Sequence, residues 1–204
     1  MNNIKKTLLT IWIFVWSLPL TIFSLVASIF LLMFGAKPVR FGPAVAYKIG
    51  ESWGGFELGG CFFTIDSHMY YSTKCHEVGH LLQQAMFGPL SPFMFTFPSA
   101  ARYWLRNMRT INGKYTYSIL LTIIGMAVFA TIFALGLKFN ILWIWVAGLC
   151  LMIYMIILGI WLIFFETPKY KPGKKYPLYD DFWIEGDATR RGTAFMKKYY
   201  PDVK

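Results

Sequence analysis

Residues 115–137 read YTYSILLTIIGMAVFATIFALGL, an uncharged stretch between Lys114 and Lys138. A bilayer core is about 30 Å thick, and about 20 helical residues cross it. Residues 139–165, between Lys138 and Glu166, repeat the pattern, as do residues 7–36, between Lys6 and Lys37. In lipid the backbone has to satisfy its own N–H and C=O groups, which leaves helices or closed barrels. None of the three runs alternates as a barrel strand does. The sequence therefore predicts a mainly α, helical integral membrane protein with transmembrane helices at 7–36, 115–137 and 139–165. These form a single membrane domain over 1–204. The first run is too long for a secretory signal and lacks a small-x-small cleavage site, so it reads as a retained anchor bent at Pro19.

Composition agrees. Of 204 residues 56% are hydrophobic and 15% charged, against about 25% charged in an ordinary soluble domain. That excludes a disordered chain. Three cysteines cannot all pair within one chain, which argues against a disulfide-stapled secreted domain. The net charge of +10 lies beside the spans rather than on a basic face, so nucleic acid is not an expected partner. The partners expected are the lipid bilayer and a protein or peptide substrate. The spans hold no charged residue, which argues against a transport pathway.

Two polar sections remain. In residues 37–114, the stretch WGGFELGGCFFTID at 53–66 predicts a small β-hairpin with glycine bends. Ser72 or Thr73 can cap a helix running to about Phe87, where Gly88-Pro89 stops it. Residues 81–101 are again uncharged, but Gly88, Pro89, Pro92 and Pro98 interrupt them. They read as a helix that dips into the membrane and returns. Arg102, Arg106 and Arg109 share one helical face suited to a headgroup boundary. The other section is the tail, 166–204, where Asp180 or Asp181 can cap a further helix.

Residues 76–80 read His-Glu-Val-Gly-His, the H-E-x-x-H pattern. On a helix, residues i and i+4 stand on one face. His76 and His80 can therefore offer imidazole nitrogens to one metal, with zinc the prior choice. Glu77 follows the first ligand and can take a proton from a metal-activated water. Gly79 leaves room for another backbone or a substrate. Two of only three histidines in the chain fall in this pattern. Cys75 is one residue off the ligand face and reads as a small packing residue.

A catalytic zinc site takes three protein ligands. Candidates for the third are Asp66, His68, Glu185 and Asp187. Glu185 is favoured because a helix over the stretch FWIEGDAT at 182–189 puts Thr189 one turn further on the same face. Thr189 and Asp187 are then the residues expected to hydrogen-bond the ligands. A shared metal requires both polar sections on one side of the membrane. Three complete spans provide that, with Lys5, Lys6 and Lys138 on the other side. The excess of Lys and Arg then places both sections in the cytoplasm of an inner-membrane, multi-pass protein.

The H-E-V-G-H helix with a distant glutamate on a second helix resembles the gluzincin zinc metallopeptidases. That resemblance implies His76, His80 and Glu185 as zinc ligands and Glu77 as general base. The family often carries Asp four positions after the ligand Glu, where this chain has Thr189. The chain is also similar to uncharacterised bacterial integral membrane proteins. They share H-E-x-G-H-x-x-Q, which spans 76–83 here, and W-x-E-x-x-A-[DT], which spans 183–189. They also share Leu58-Gly59, Gly88-Pro89 and Pro98-Ser99. This second resemblance implies no established activity. The function expected is a membrane-embedded zinc-dependent peptidase. The alternative is a non-catalytic membrane protein whose metal or histidine cluster is structural and acts through a partner.

Overall fold

The computed structural model describes residues 3–49, 55–64 and 71–203. They fall into two compact units, Met1–Phe97 with Leu178–Lys204, and Pro98–Pro177.

In the first unit the apolar run expected as one anchor is two helices, α1 (Asn3–Trp16) and α2 (Leu18–Met33), bent by 94°. Pro19 sits in the first turn of α2, where its missing N–H costs that helix nothing. It cannot continue the ladder of α1, so α1 stops. The Thr21 hydroxyl donates to the Phe14 carbonyl across the break, 2.9 Å.

The sheet has four strands rather than the two expected. They are β1 (Pro38–Phe41), β2 (Ala44–Lys48), β3 (Gly55–Leu58) and β4 (Cys61–Thr64), in the order β1-β2-β4-β3. Both hairpins are antiparallel, and β2 and β4 pair in parallel. The β3–β4 hairpin turns on Gly59 and Gly60, both at positive φ (59° and 89°), the two-residue turn that glycine favours. The β1–β2 hairpin turns at Gly42-Pro43, a signal the sequence reading passed over.

Period-two alternation divides the sheet into two faces. Tyr47, Cys61 and Phe63 pack under α2 with Ala27 and Leu31. The α2 face toward the sheet is small and polar. Ser24 donates to the Gly59 carbonyl (3.2 Å), and Ser28 bonds Cys61 Sγ (3.6 Å). The opposite sheet face supplies Phe41, Ala44, Ala46 and Phe62 to the main core. There they meet Ile13, Cys75, Val78, Leu81 and Met196 from helices.

Two of those helices carry the site, α3 (Tyr71–Phe87) and α7 (Trp183–Tyr199). Ser72 and Thr73, expected as caps, lie inside α3. Gly88 (φ 54°) and Pro89 end it as expected. Residues 88–96 continue as short 3₁₀ and π turns into α4 (Phe97–Asn107). No helix within 81–101 is long and apolar enough to cross a membrane.

The second unit holds α5 (Ile111–Lys138) and α6 (Leu142–Ile160), the latter prolonged by π and 3₁₀ turns to Tyr170. Both are long and apolar enough to span, and the bent α1–α2 pair would make three if counted as one span. Glycines set their approach. A Cβ on Gly136 would lie 2.3 Å from Trp145 N, one on Gly148 2.6 Å from Phe133 N, and one on Gly159 2.3 Å from Thr122 Oγ1. Such small residues let apolar helices pack backbone to backbone.

The three arginines do not line a headgroup boundary together. Arg102 is 1% exposed and bonds Glu166 Oε1 at 2.6 Å. Arg106 donates to the Pro177 carbonyl (2.7 Å) and stacks on Tyr176, and Arg109 is exposed. Burying a guanidinium is costly without a partner, so the acid on the neighbouring helix decides where Arg102 points. Lys114, also buried, donates to the carbonyls of Leu105, Arg106 and Met108 at the end of α4.

Candidate metal centre

Helix α3 presents His76 and His80 one turn apart, with ring centroids 4.7 Å from each other. Helix α7 crosses it at backbone contact. A Cβ on Gly79 would stand 1.9 Å from the Ala188 carbonyl oxygen, and one on Gly192 1.8 Å from the Cys75 carbonyl oxygen. The space that Gly79 leaves is therefore filled by the backbone of α7. This approach carries Glu185, fully buried, onto the ligand face of α3. Glu185 Oε2 lies 3.2 Å from His76 Nε2 and 3.3 Å from His80 Nε2, and the two nitrogens are 3.1 Å apart.

The neighbours decide which atoms of the rings carry hydrogen. His76 Nδ1 is 2.8 Å from Thr189 Oγ1, and that hydroxyl gives its one hydrogen to Asp180 Oδ1, 3.3 Å away. With that hydrogen on Asp180, Thr189 accepts from a protonated His76 Nδ1 and leaves Nε2 to face Glu185. His80 Nδ1 is 2.9 Å from Gln83 Oε1. The amide of Gln83 is oriented by its own nitrogen, which donates to the Ile184 carbonyl (3.0 Å) and to Asp187 Oδ2 (3.2 Å). His80 Nδ1 is therefore protonated, and its Nε2 faces the Glu185 oxygen beside His76 Nε2. Two ring nitrogens and a carboxylate oxygen thus converge on one point, a set that a cation can join.

A proton is the smallest such cation. Burial pulls the His80 pKa down, but the Glu185 carboxylate more than offsets it and the net value is about 9. A metal ion is the other. The ligand atoms of His76, His80 and Glu185 lie within 4.8 Å of one another and could hold one. Donors bound at 2.0–2.1 Å around a tetrahedral ion stand about 3.3 Å apart. The observed edges of 3.1, 3.2 and 3.3 Å fit that size.

Glu77 is 4% exposed, and its Oε2 has no hydrogen-bond partner among the described residues. Burial pushes its carboxyl up, while His80 and His76 pull it down and Glu185 raises it further. Of the residues expected to support the ligands, Thr189 touches His76 directly. Asp187 acts one step removed, holding Gln83 while Arg190 and Arg191 bind its carboxylate. Asp66 and His68 lie outside the described residues. Cys75 is buried in the core, away from the ligand atoms.

Sequence reasoning missed four neighbours. Gln83 was visible three residues after His80, on the ligand side of the helix. Asp180 was read as a cap. Tyr179, whose ring centroid is 6.1 Å from that of His76, carried no signal. Glu57 had one: alternation puts it opposite Phe62, on the sheet face that meets α3. Its Oε1 accepts from the Gly60 amide at 2.9 Å. Burial raises its pKa to about 8, against the pull of that amide and of His80.

No protein-family model, curated protein or solved structure matches the chain.

Proposed function

We propose that this chain is a membrane-embedded, zinc-dependent peptidase, with His76, His80 and Glu185 as the residues that would hold Zn2+. The observation that carries the reading is the triangle of two imidazole Nε2 atoms and Glu185 Oε2, 3.1–3.3 Å on a side, on one face of a two-helix crossing. Bound there, zinc supplies Lewis acidity, polarising a peptide carbonyl and lowering the pKa of water toward about 7. Glu77 accepts the proton from the attacking water and returns it to the departing amine. Its burial suits it to that exchange, since a raised carboxyl pKa lies closer to neutral pH. Thr189 and Gln83 keep the rings in the tautomer that leaves Nε2 free. Strand β3 is an edge strand of the sheet, and its outer edge offers backbone groups to an extended peptide.

In this reading α5 and α6 cross the inner membrane. The Lys/Arg excess keeps the H-E-x-x-H section and the tail cytoplasmic.

Metal analysis of detergent-purified protein is the test. We expect close to one zinc per chain, lost in His76→Ala. Glu77→Gln is expected to keep the zinc and abolish hydrolysis of a peptide library. A metal content below about 0.2 per chain, unchanged by His76→Ala, rejects the site. Retained metal with every cellular phenotype intact in Glu77→Gln would instead make it a structural metal acting through a partner.

A further inference from the structure

The first apolar run, residues 7–36, leaves and returns to one place in its unit. At its start, Lys6 Nζ stands 4.5 Å from the centroid of the Tyr200 ring. Just beyond its end, the β1–β2 turn meets the same side chain: a Cβ on Gly42 would lie 3.7 Å from Tyr200 Cδ2 and 2.8 Å from Met196 Sδ. Lys37 is five residues before Gly42, no more than roughly 17 Å away along an extended strand. A bilayer needs about 30 Å of hydrocarbon between charged ends. The flanking cations Lys6, Lys37 and Arg40 thus crowd within less than one membrane thickness of the C-terminal end of α7. That end carries Lys197 and Lys198, both exposed.

The helices agree with a segment that enters and turns back. At 14 and 16 residues, α1 and α2 are about 21 and 24 Å long, each shorter than a span. The 94° bend keeps them from adding end to end. Their inner faces are occupied. Trp12 Nε1 donates to the Ala85 carbonyl (3.0 Å), and Ile13 enters the core. On α2, Thr21, Ser24 and Ser28 are buried on the side toward the sheet. From Leu8 onward the outer faces are apolar, with Ile11, Val15, Phe23, Val26, Ile29 and Phe30 all more than half exposed. An apolar surface of this extent, rimmed by lysines, fits acyl chains below and headgroups above.

We propose that α1 and α2 form a re-entrant wedge in one leaflet of the bilayer, not a transmembrane span, so that the N-terminal lysines lie on the same side as α3 and α7. This rests on α5 and α6 being the two spans, and it is independent of the metal. The charge pattern gains from it. Of the 20 Lys and Arg in the sequence, Lys138, at the turn between the two spans, becomes the one on the far side. Three complete spans would have left Lys5 and Lys6 there too.

The test uses the full chain in sealed membrane vesicles of known orientation, with Cys150 replaced by Ala and Cys61 and Cys75 left buried. Single cysteines are placed at Lys5→Cys, Lys138→Cys and Lys197→Cys and treated with an impermeant maleimide. The expected result is that Lys5→Cys and Lys197→Cys react from one face and Lys138→Cys from the other. Reaction of Lys5→Cys together with Lys138→Cys overturns the wedge. Reaction of Lys138→Cys together with Lys197→Cys removes the spans it rests on. A nitroxide on Phe30→Cys should then be relaxed by oxygen more than by a water-soluble nickel chelate. The reverse puts that face in water and also overturns the proposal. Zinc content plays no part in any of these readings, so the wedge and the peptidase can fail separately.

Discussion

Replacing Gly79 by alanine sets two effects of opposite sign against each other. Helix propensity alone makes Gly→Ala favourable by about 1 kcal/mol in a helix interior. The crossing with α7 opposes it. The added Cβ would be 1.9 Å from the Ala188 oxygen, and ordinary contact begins at 3.4 Å, so the helices have to part by about 1.5 Å. Overpacking of this kind costs about 1–3 kcal/mol, which cancels or exceeds the propensity gain. The larger consequence falls on the ligands. Glu185 is one turn from Ala188 and moves with it, while a metal site tolerates about 0.2 Å in its bond lengths. Zinc affinity should therefore fall by about 10–100-fold. Competition against a chromophoric chelator in detergent measures the affinity, and melting in excess chelator isolates the metal-free protein. Wild-type zinc affinity together with an unchanged or higher melting temperature would refute the reasoning. Gly192→Ala, aimed at the Cys75 carbonyl, repeats the test from the other helix.

Thr189→Val and Asp180→Leu should each weaken zinc binding by about 10-fold, the first by removing the hydroxyl beside His76 Nδ1 and the second by removing the carboxylate that takes that hydroxyl's hydrogen. The double variant should be no worse than Thr189→Val, and additive losses would show that Asp180 acts elsewhere. Glu57 makes stability depend on pH. Its folded pKa of about 8 lies above the ordinary carboxyl value, so its contribution is complete at acid pH and is lost as pH rises through about 8. In metal-free protein, Glu57→Gln should flatten the decline of melting temperature between pH 5 and pH 9, and parallel curves would rule that out. In the second unit, Arg102→Met should destabilise by about 1–3 kcal/mol, because it removes one charge partner of buried Glu166 while Lys169 (2.6 Å) and Tyr170 (3.0 Å) still bond it. Arg102→Met with Glu166→Met should recover most of it in the same detergent melts.

The long apolar helices were legible because charge-free runs of that length have few other uses. The histidine pair of the candidate trio was legible because two histidines four apart share a helix face in any α-helix. The carboxylate 105 positions later was found only by assuming a second helix with Thr189 on its ligand face. What the sequence concealed lies in tertiary contact. Nothing local to Arg102 says that Glu166 will neutralise it. Nothing in the anchor run tells a bend from a break, because Pro19 is compatible with both and the Tyr200 contact that closes the loop lies far along the chain. The second hairpin was a misread signal rather than a hidden one. Gly42-Pro43 sits between alternating strands but was absorbed into a polar section.

The glycine contacts between α5 and α6 limit how that hairpin can move. With Gly136 against Trp145, Gly148 against Phe133 and Gly159 against Thr122, the two helices are keyed at three heights. A slip of one turn would bring side chains against backbone at the first two keys and against the Thr122 side chain at the third, which opposes sliding. A tilt that carries both helices together leaves all three contacts intact.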